Sequence, residues 1–323
     1  MTNVLSEVPG STRVPTGPDV WRRHADEHVV QQSLNESQPP RSARKRFFQR
    51  FLRQWPAVIA LTFLVAIIGV AIFAPQLAPF PPDLNEPDNY LAPPSSYNWL
   101  GTDHLGRDTY SRILFGARVS LLAAGQAVTI AMALGIIPGL LAGYLGGWID
   151  VIVMRLTETI MTFPPLLLAI AIVAVRGPGL GNAMFAVGVV FAPRFARLTR
   201  GLVLSVREET FIEASRSIGT PTTRILRKHI LPNILSPLVV QISLALGFAM
   251  LSEAALSFLG LGVRPPEASW GALLQVAYSN ISRDGARFQA IPPGVAIMLC
   301  VLAFNVLGDG IRDSLGKEIR RGK

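Results

Sequence analysis

Metal and nucleotide chemistry need donors at fixed spacing, and this chain supplies few of them. It has four histidines and one cysteine. His24, Glu27 and His28 fit the H-x-x-E-H order of a zinc hydrolase, but no helical core or third ligand follows, while His104 and His229 stand apart. Cys300 lies inside an apolar run, so it has no intrachain disulfide partner and reads as a small packing residue. Gly316-Lys317 invites a search for a phosphate-binding loop. The first glycine of G-x-x-x-x-G-K would fall where Ile311 stands, and Glu318 replaces the Ser or Thr that would hold Mg²⁺. Gly177-Pro-Gly-Leu-Gly181 is glycine-rich, yet Asn182 occupies the last position of a G-x-G-x-x-G. No G-x-S-x-G or H-E-x-x-H is present. The expectation is a chain without catalysis of its own and without a bound cofactor.

What remains is charge held in particular places, and the elements that hold it are apolar. Half of the 323 residues are hydrophobic and 16% are charged, against about 25% charged in an ordinary soluble domain. A multi-span membrane protein follows. The net charge of +9 comes without any nucleic-acid-binding motif, so no nucleic-acid partner is expected. The basic residues gather at the ends of apolar runs, as the positive-inside rule requires.

Residues 1–54 are polar and rich in Pro, Ser and Gln, the composition of a largely disordered extension. Arg41, Arg44, Lys45, Arg46, Arg50 and Arg53 close it with a basic cluster that can hold the first span's start in the cytoplasm and touch anionic lipid. Six apolar runs follow: 58–74, 121–144, 151–175, 183–195, 237–260 and 291–307. Pro138 is expected to interrupt the second, whose Gly135, Gly139 and Gly143 form a small-residue stripe for close helix packing. Pro164 and Pro165 predict a kink in the third. Segments 75–118 and 263–290 should be external, 200–235 cytoplasmic, and 317–323 a basic cytoplasmic tail. Both termini then lie in the cytoplasm.

The stretch 213–232, EASRSIGTPTTRILRKHILP, is too charged to cross a bilayer. Helix formers up to Ser217 stop at Gly219; Thr220 suits an N-cap, Pro221 the first helical position, and Pro232 a stop. Glu213, Ala214, Gly219, Leu231 and Pro232 resemble the E-A-A loop of ATP-binding-cassette importer permeases. Ser215 stands for the second alanine, and His229 for an isoleucine. The resemblance implies that Glu213, Ala214, Ser215, Gly219, Thr220, Pro221, Arg224, Leu231 and Pro232 form the coupling elbow that docks on a cytoplasmic ATPase.

Other stretches carry the same resemblance. Gly101-Thr-Asp103-His-Leu-Gly106-Arg107-Asp108 is similar to the signature of the C-type subunit in the dipeptide, oligopeptide and nickel permease group. Its glycines suit tight turns, and Asp103, Arg107 and Asp108 could crosslink an external cap or contact solute. Phe163-Pro164-Pro165, Ala196-Arg197-Leu-Thr-Arg200-Gly201, Ser252-Glu253 through Gly262, and Pro265-Pro266 through Trp270-Gly271 resemble further family segments. Phe163 and Pro164 are candidate pathway-lining residues because kinked helices border pathways. Glu253 is either pathway-lining or a helix-to-helix hydrogen bond, since a carboxylate at depth must avoid lipid.

The family implies an all-α type I importer permease of six transmembrane helices in the bacterial inner membrane. Its implied partners are a homologous B-type permease, two ATPase subunits that carry ATP and Mg²⁺, and an extracytoplasmic solute-binding protein. Di- or oligopeptides are the expected cargo, with nickel chelates and glycosides as alternatives. An ion-coupled secondary carrier is the rival of another class; only Glu253 lies deep, and no internal repeat is visible.

Overall fold

The computed structural model describes residues 43–282 and 287–319; the His24 to His28 stretch, Arg41 and residues 320–323 lie outside them. Contacts divide the chain into units 1–49 and 50–323. In the first, the described residues belong to helix α1, Ala43–Leu52, so part of the extension expected to be disordered is helical. Phe47 and Phe48 sit edge to face within it, ring centroids 5.8 Å apart.

The second unit is built on a 37-residue helix, α4, Thr109–Leu145. Before it come α2, Trp55–Ile72, and the single turn α3, Ala74–Leu77. After it come α5, Gly147–Met161, α6, Pro165–Arg176, and α7, Leu180–Arg207. The chain then forms α8, Thr210–Ser217, α9, Thr222–Ile225, a π-turn at Leu226–Ile230, and α10, Leu231–Phe258. Two helices complete it: α11, Trp270–Ser279, and α12, Arg287–Ile319. Extended pairing among the described residues is limited to one antiparallel bridge, Thr102 with Asp108.

Among the described residues, four helices are long and apolar enough to cross a membrane, or five if the α5–α6 pair counts as one bent span. α7 carries Arg194, Arg197, Arg200 and Arg207, which lower its apolar average although it is 28 residues long. The third run is not one kinked helix. α5 and α6 meet at 96° because Pro164 and Pro165, with no N–H to donate, leave the last carbonyls of α5 without helical partners.

Two other prolines behave differently from expectation. Pro138 lies within α4 and the helix continues through it. It is braced there by α7, the most extensive helix pairing in the fold. A Cβ added at Gly135 would lie 2.4 Å from the Ala192 carbonyl oxygen, and one at Gly139 2.6 Å from that of Ala196. The glycine stripe therefore sets the distance between α4 and α7. Pro232 does not end a helix either. The Leu231 N–H donates to the Leu226 carbonyl, five residues back. This wider turn accommodates a residue with no N–H to offer, and α9 runs through it into α10 as one rod.

Packing reverses the usual soluble arrangement. Interior positions are mostly small: Ala123, Ala124, Ala127, Ala131, Ala183 and Ala186 are buried, while Leu122, Leu167, Val175 and Trp148 are exposed. Lipid tails cost nothing to touch, so small residues inside, which let backbones approach, supply the contact energy.

Candidate functional site

α8 ends in a Schellman arrangement. The Thr220 N–H donates to the Ser215 carbonyl (3.0 Å) and the Gly219 N–H to the Arg216 carbonyl (2.9 Å), with Gly219 at φ +75°. Glycine reaches that conformation without the Cβ penalty. The next helix starts one residue later than the sequence suggested: Pro221 is its N-cap and Thr222 its first residue, while the Thr220 N–H closes α8. Ile212, Ile225 and Ile230 are buried and pin the elbow to the bundle. Phe211 and His229, 6.3 Å between ring centroids, join its two limbs.

Side chains from α7 and α8 hold the elbow against the end of α4. Arg207 Nη1 donates to the Gly143 and Tyr144 carbonyls at 3.2 and 3.4 Å, capping the helix where its dipole is negative. Arg216 Nε donates to the Tyr144 hydroxyl at 3.3 Å and lies over its ring. Arg200 grips Asp150 of α5 with Nε and Nη2. Glu213, Ala214, Gly219, Pro221, Arg224 and Pro232 are exposed, and Ser215, Thr220 and Leu231 half-exposed. Ile218, at 82% exposure, is the most solvent-facing apolar side chain of the joint. An anchored, rigid step with its own face uncovered can be gripped, and it can transmit displacement directly into α10.

At the other end of α4 the charge is buried. Asp103 accepts from the N–H groups of Leu105 and Arg107 (2.8 and 3.1 Å) and from Arg107 Nε (2.8 Å). Asp108 is the N-cap of α4, accepting from the Ser111 N–H at 2.8 Å and from Asn98 Nδ2 at 3.0 Å. Arg112 donates to the Pro82 carbonyl at 2.9 Å. Gly101 and Gly106 have φ +72° and +75°, and a Cβ on Gly106 would lie 1.8 Å from the Glu86 carbonyl oxygen.

Glu253 joins neither group. It is fully buried, and its carboxylate accepts from Ser120 of α4 (3.1 Å) and Ser257 (2.7 Å), with Ser269 as a third hydroxyl partner. Ser120 also accepts from the Trp270 N–H, and Trp270 Nε1 donates to the Ile113 carbonyl (3.0 Å). Three stretches distant in sequence thus meet around one carboxylate. Phe163 and Pro164 sit exposed at the α5–α6 bend. Sequence reasoning missed Ser120, Ser257 and Ser269; Ser257 and Ser269 each lie within a quoted stretch as ordinary hydroxyls, and Ser120 carried no signal.

Two family descriptions match the chain. "Binding-protein-dependent transport system inner membrane component" covers residues 121–321, and "N-terminal TM domain of oligopeptide transport permease C" covers residues 42–94. The chain is 43% identical over 306 residues to the glutathione transport system permease protein GsiD of Pectobacterium atrosepticum, covering 93% of this chain and 99% of the relative. It is 44% identical over 301 residues to the Escherichia coli protein of that name, covering 93% and 98%. The dipeptide transport system permease protein DppC of Alkalihalophilus pseudofirmus is 44% identical over 273 residues, 84% of this chain and 89% of the relative. An inward-facing structure of the MetNI methionine ABC transporter superposes with a TM-score of 0.51 at 21% identity, over 62% of this chain and 95% of that one; it shares the fold.

Proposed function

The chain belongs to the binding-protein-dependent transport system inner membrane component family, and on that premise we propose that it forms half of the pathway of an ATP-driven peptide importer. The names of its relatives, glutathione and dipeptide permeases, support peptide cargo. The chain is a non-catalytic, multi-pass membrane subunit. A B-type permease completes the pathway, two ATPase subunits bind ATP and Mg²⁺ beneath it, and a binding protein delivers solute from outside. Six spans with both termini cytoplasmic fit the fold if the α5–α6 pair and α7 each count as one, since α7 lies along α4.

The observation that carries the reading is the elbow. A Schellman joint at Gly219, three buried isoleucines and an uncovered face lead without a break into the 37-residue rod 222–258, in a chain with no phosphate loop. ATPase closure moves the elbow, the rod tilts against α4 and α12, and the cavity changes the side on which it opens. Glu213, Ala214, Ser215, Thr220, Pro221, Arg224, Leu231 and Pro232 are the coupling set, and the turn 101–108 is a structural cap. Glu253 ties helices; a side chain with no exposed surface does not line a pathway shared with a second subunit.

The test is uptake by the assembled complex in proteoliposomes. Labelled dialanine or glutathione should accumulate with ATP on the elbow side and persist when ion gradients are collapsed. Accumulation that follows an imposed gradient without ATP would assign the chain to secondary transport.

A further inference from the structure

The hollow where α5 turns toward α6 contains charge that no described carboxylate meets. It measures about 390 Å³ and is lined by Met161, Phe191, Arg194, Arg197, Gln241 and Phe248, among others. Arg194 and Arg197 are three residues apart on α7, on one face, and both are exposed. Neither forms an ion pair among the described residues. The Arg194 guanidinium lies 5.2 and 5.4 Å from the ring centroids of Phe191 and Phe248, which holds its plane while its N–H edge stays open.

Depth makes this pair informative. Gly135 packs against Ala192 and Phe195, and Gly139 against Ala196 and Thr199, so the two arginines are level with residues 135–139, in the inner third of the apolar run 121–144. Guanidinium groups at that level are costly against lipid and face a wet cavity or an anion. The hollow also opens beside the α5–α6 bend, where Phe163 is exposed.

We propose that Arg194 and Arg197, with the Gln241 amide, form a subsite for a carboxylate of the solute as it passes through the membrane. This rests on the peptide-importer reading and names the group recognised within it. A guanidinium fork binds a carboxylate bidentately, the Phe191 and Phe248 rings hold the Arg194 plane, and the two positive charges favour an anionic group at the inner third of the spans.

The experiment compares uptake of labelled dialanine with that of its C-terminal amide by the complete importer, supplied with saturating binding protein. The double variant R194Q/R197Q should import the acid roughly tenfold or more slowly, as expected on losing charge-assisted hydrogen bonds, with amide uptake little changed. R194K should fall between. The ratio between the two probes isolates the permease, because the binding protein is the same in every arm. Copurification with the other subunits should stay at the wild-type level. Loss of the partner permease in the double variant would mean that the arginines meet its carboxylates, and would overturn the proposal. An unchanged acid-to-amide ratio overturns it as well. If the wild-type complex imports neither probe with ATP, the peptide reading falls and takes this inference with it.

Discussion

The turn at 101–112 and the elbow at 210–232 are both rich in charge, and both depend on glycine at positive φ, but they handle these ingredients in opposite ways. In the turn, Asp103, Arg107, Asp108 and Arg112 are buried, and both carboxylates are satisfied from within a few residues. In the elbow, Glu213, Arg224, Arg227 and Lys228 are exposed, and the buried contacts are made by isoleucines. Gly106 has no room for a Cβ beside Glu86, whereas the position at Gly219 has no atom within 4 Å. The same backbone angle therefore answers two needs. One end of α4 is closed on itself; the other is an uncovered surface with stiff support.

Substitutions can break this contrast, beginning with the turn. Gly106→Ala pushes a methyl into the Glu86 backbone and should cost upwards of about 4 kcal/mol. The expected result is loss of folded protein from the membrane fraction, and normal yield and melting temperature would contradict a closed cap. Asp103→Ala leaves Arg107 buried without its carboxylate and takes one of two from Arg112, which keeps Asp83 at 3.7 Å, a loss of about 3–5 kcal/mol. It should appear as a strongly lowered melting temperature in detergent. In the elbow, Gly219→Ala meets only the conformational penalty, about 1 kcal/mol. A modest fall in melting temperature should accompany weaker copurification with the ATPase subunits.

Ile218→Asp sharpens the comparison most, because it separates stability from docking. An exposed side chain away from any packed contact should change stability by no more than about 0.5 kcal/mol. ATPase association should nevertheless fall markedly if this face is the one gripped. Wild-type association in that variant would remove the elbow's uncovered face from the coupling surface.

Much of this arrangement was legible in the residues. The apolar runs, the elbow glycine, the GTD-type turn and the glycine stripe are local patterns, and each requires only the chain's own covalent rules. The prolines were not. Pro138 and Pro232 have the same missing N–H as Pro164, yet the first two lie within continuous helix and the third marks a 96° bend. Against α7, in a π-turn, and at the consecutive Pro292 and Pro293 inside α12, the lost hydrogen bonds are tolerated; at Pro164 and Pro165 the helix breaks. The extent of α1 was hidden by the polar composition around it.

By itself the amino-acid order determined that the chain lives in a membrane, where its long apolar runs fall, and that it carries a charged step between two of them and no nucleotide-loop motif, because hydropathy and backbone conformation act over a few residues. Only the tertiary structure decided that Glu253 is enclosed by serines from three segments and that Arg194 and Arg197 share a hollow with Gln241. Whether a polar group at depth is satisfied or left open depends on what other helices bring to it, and that is a property of packing.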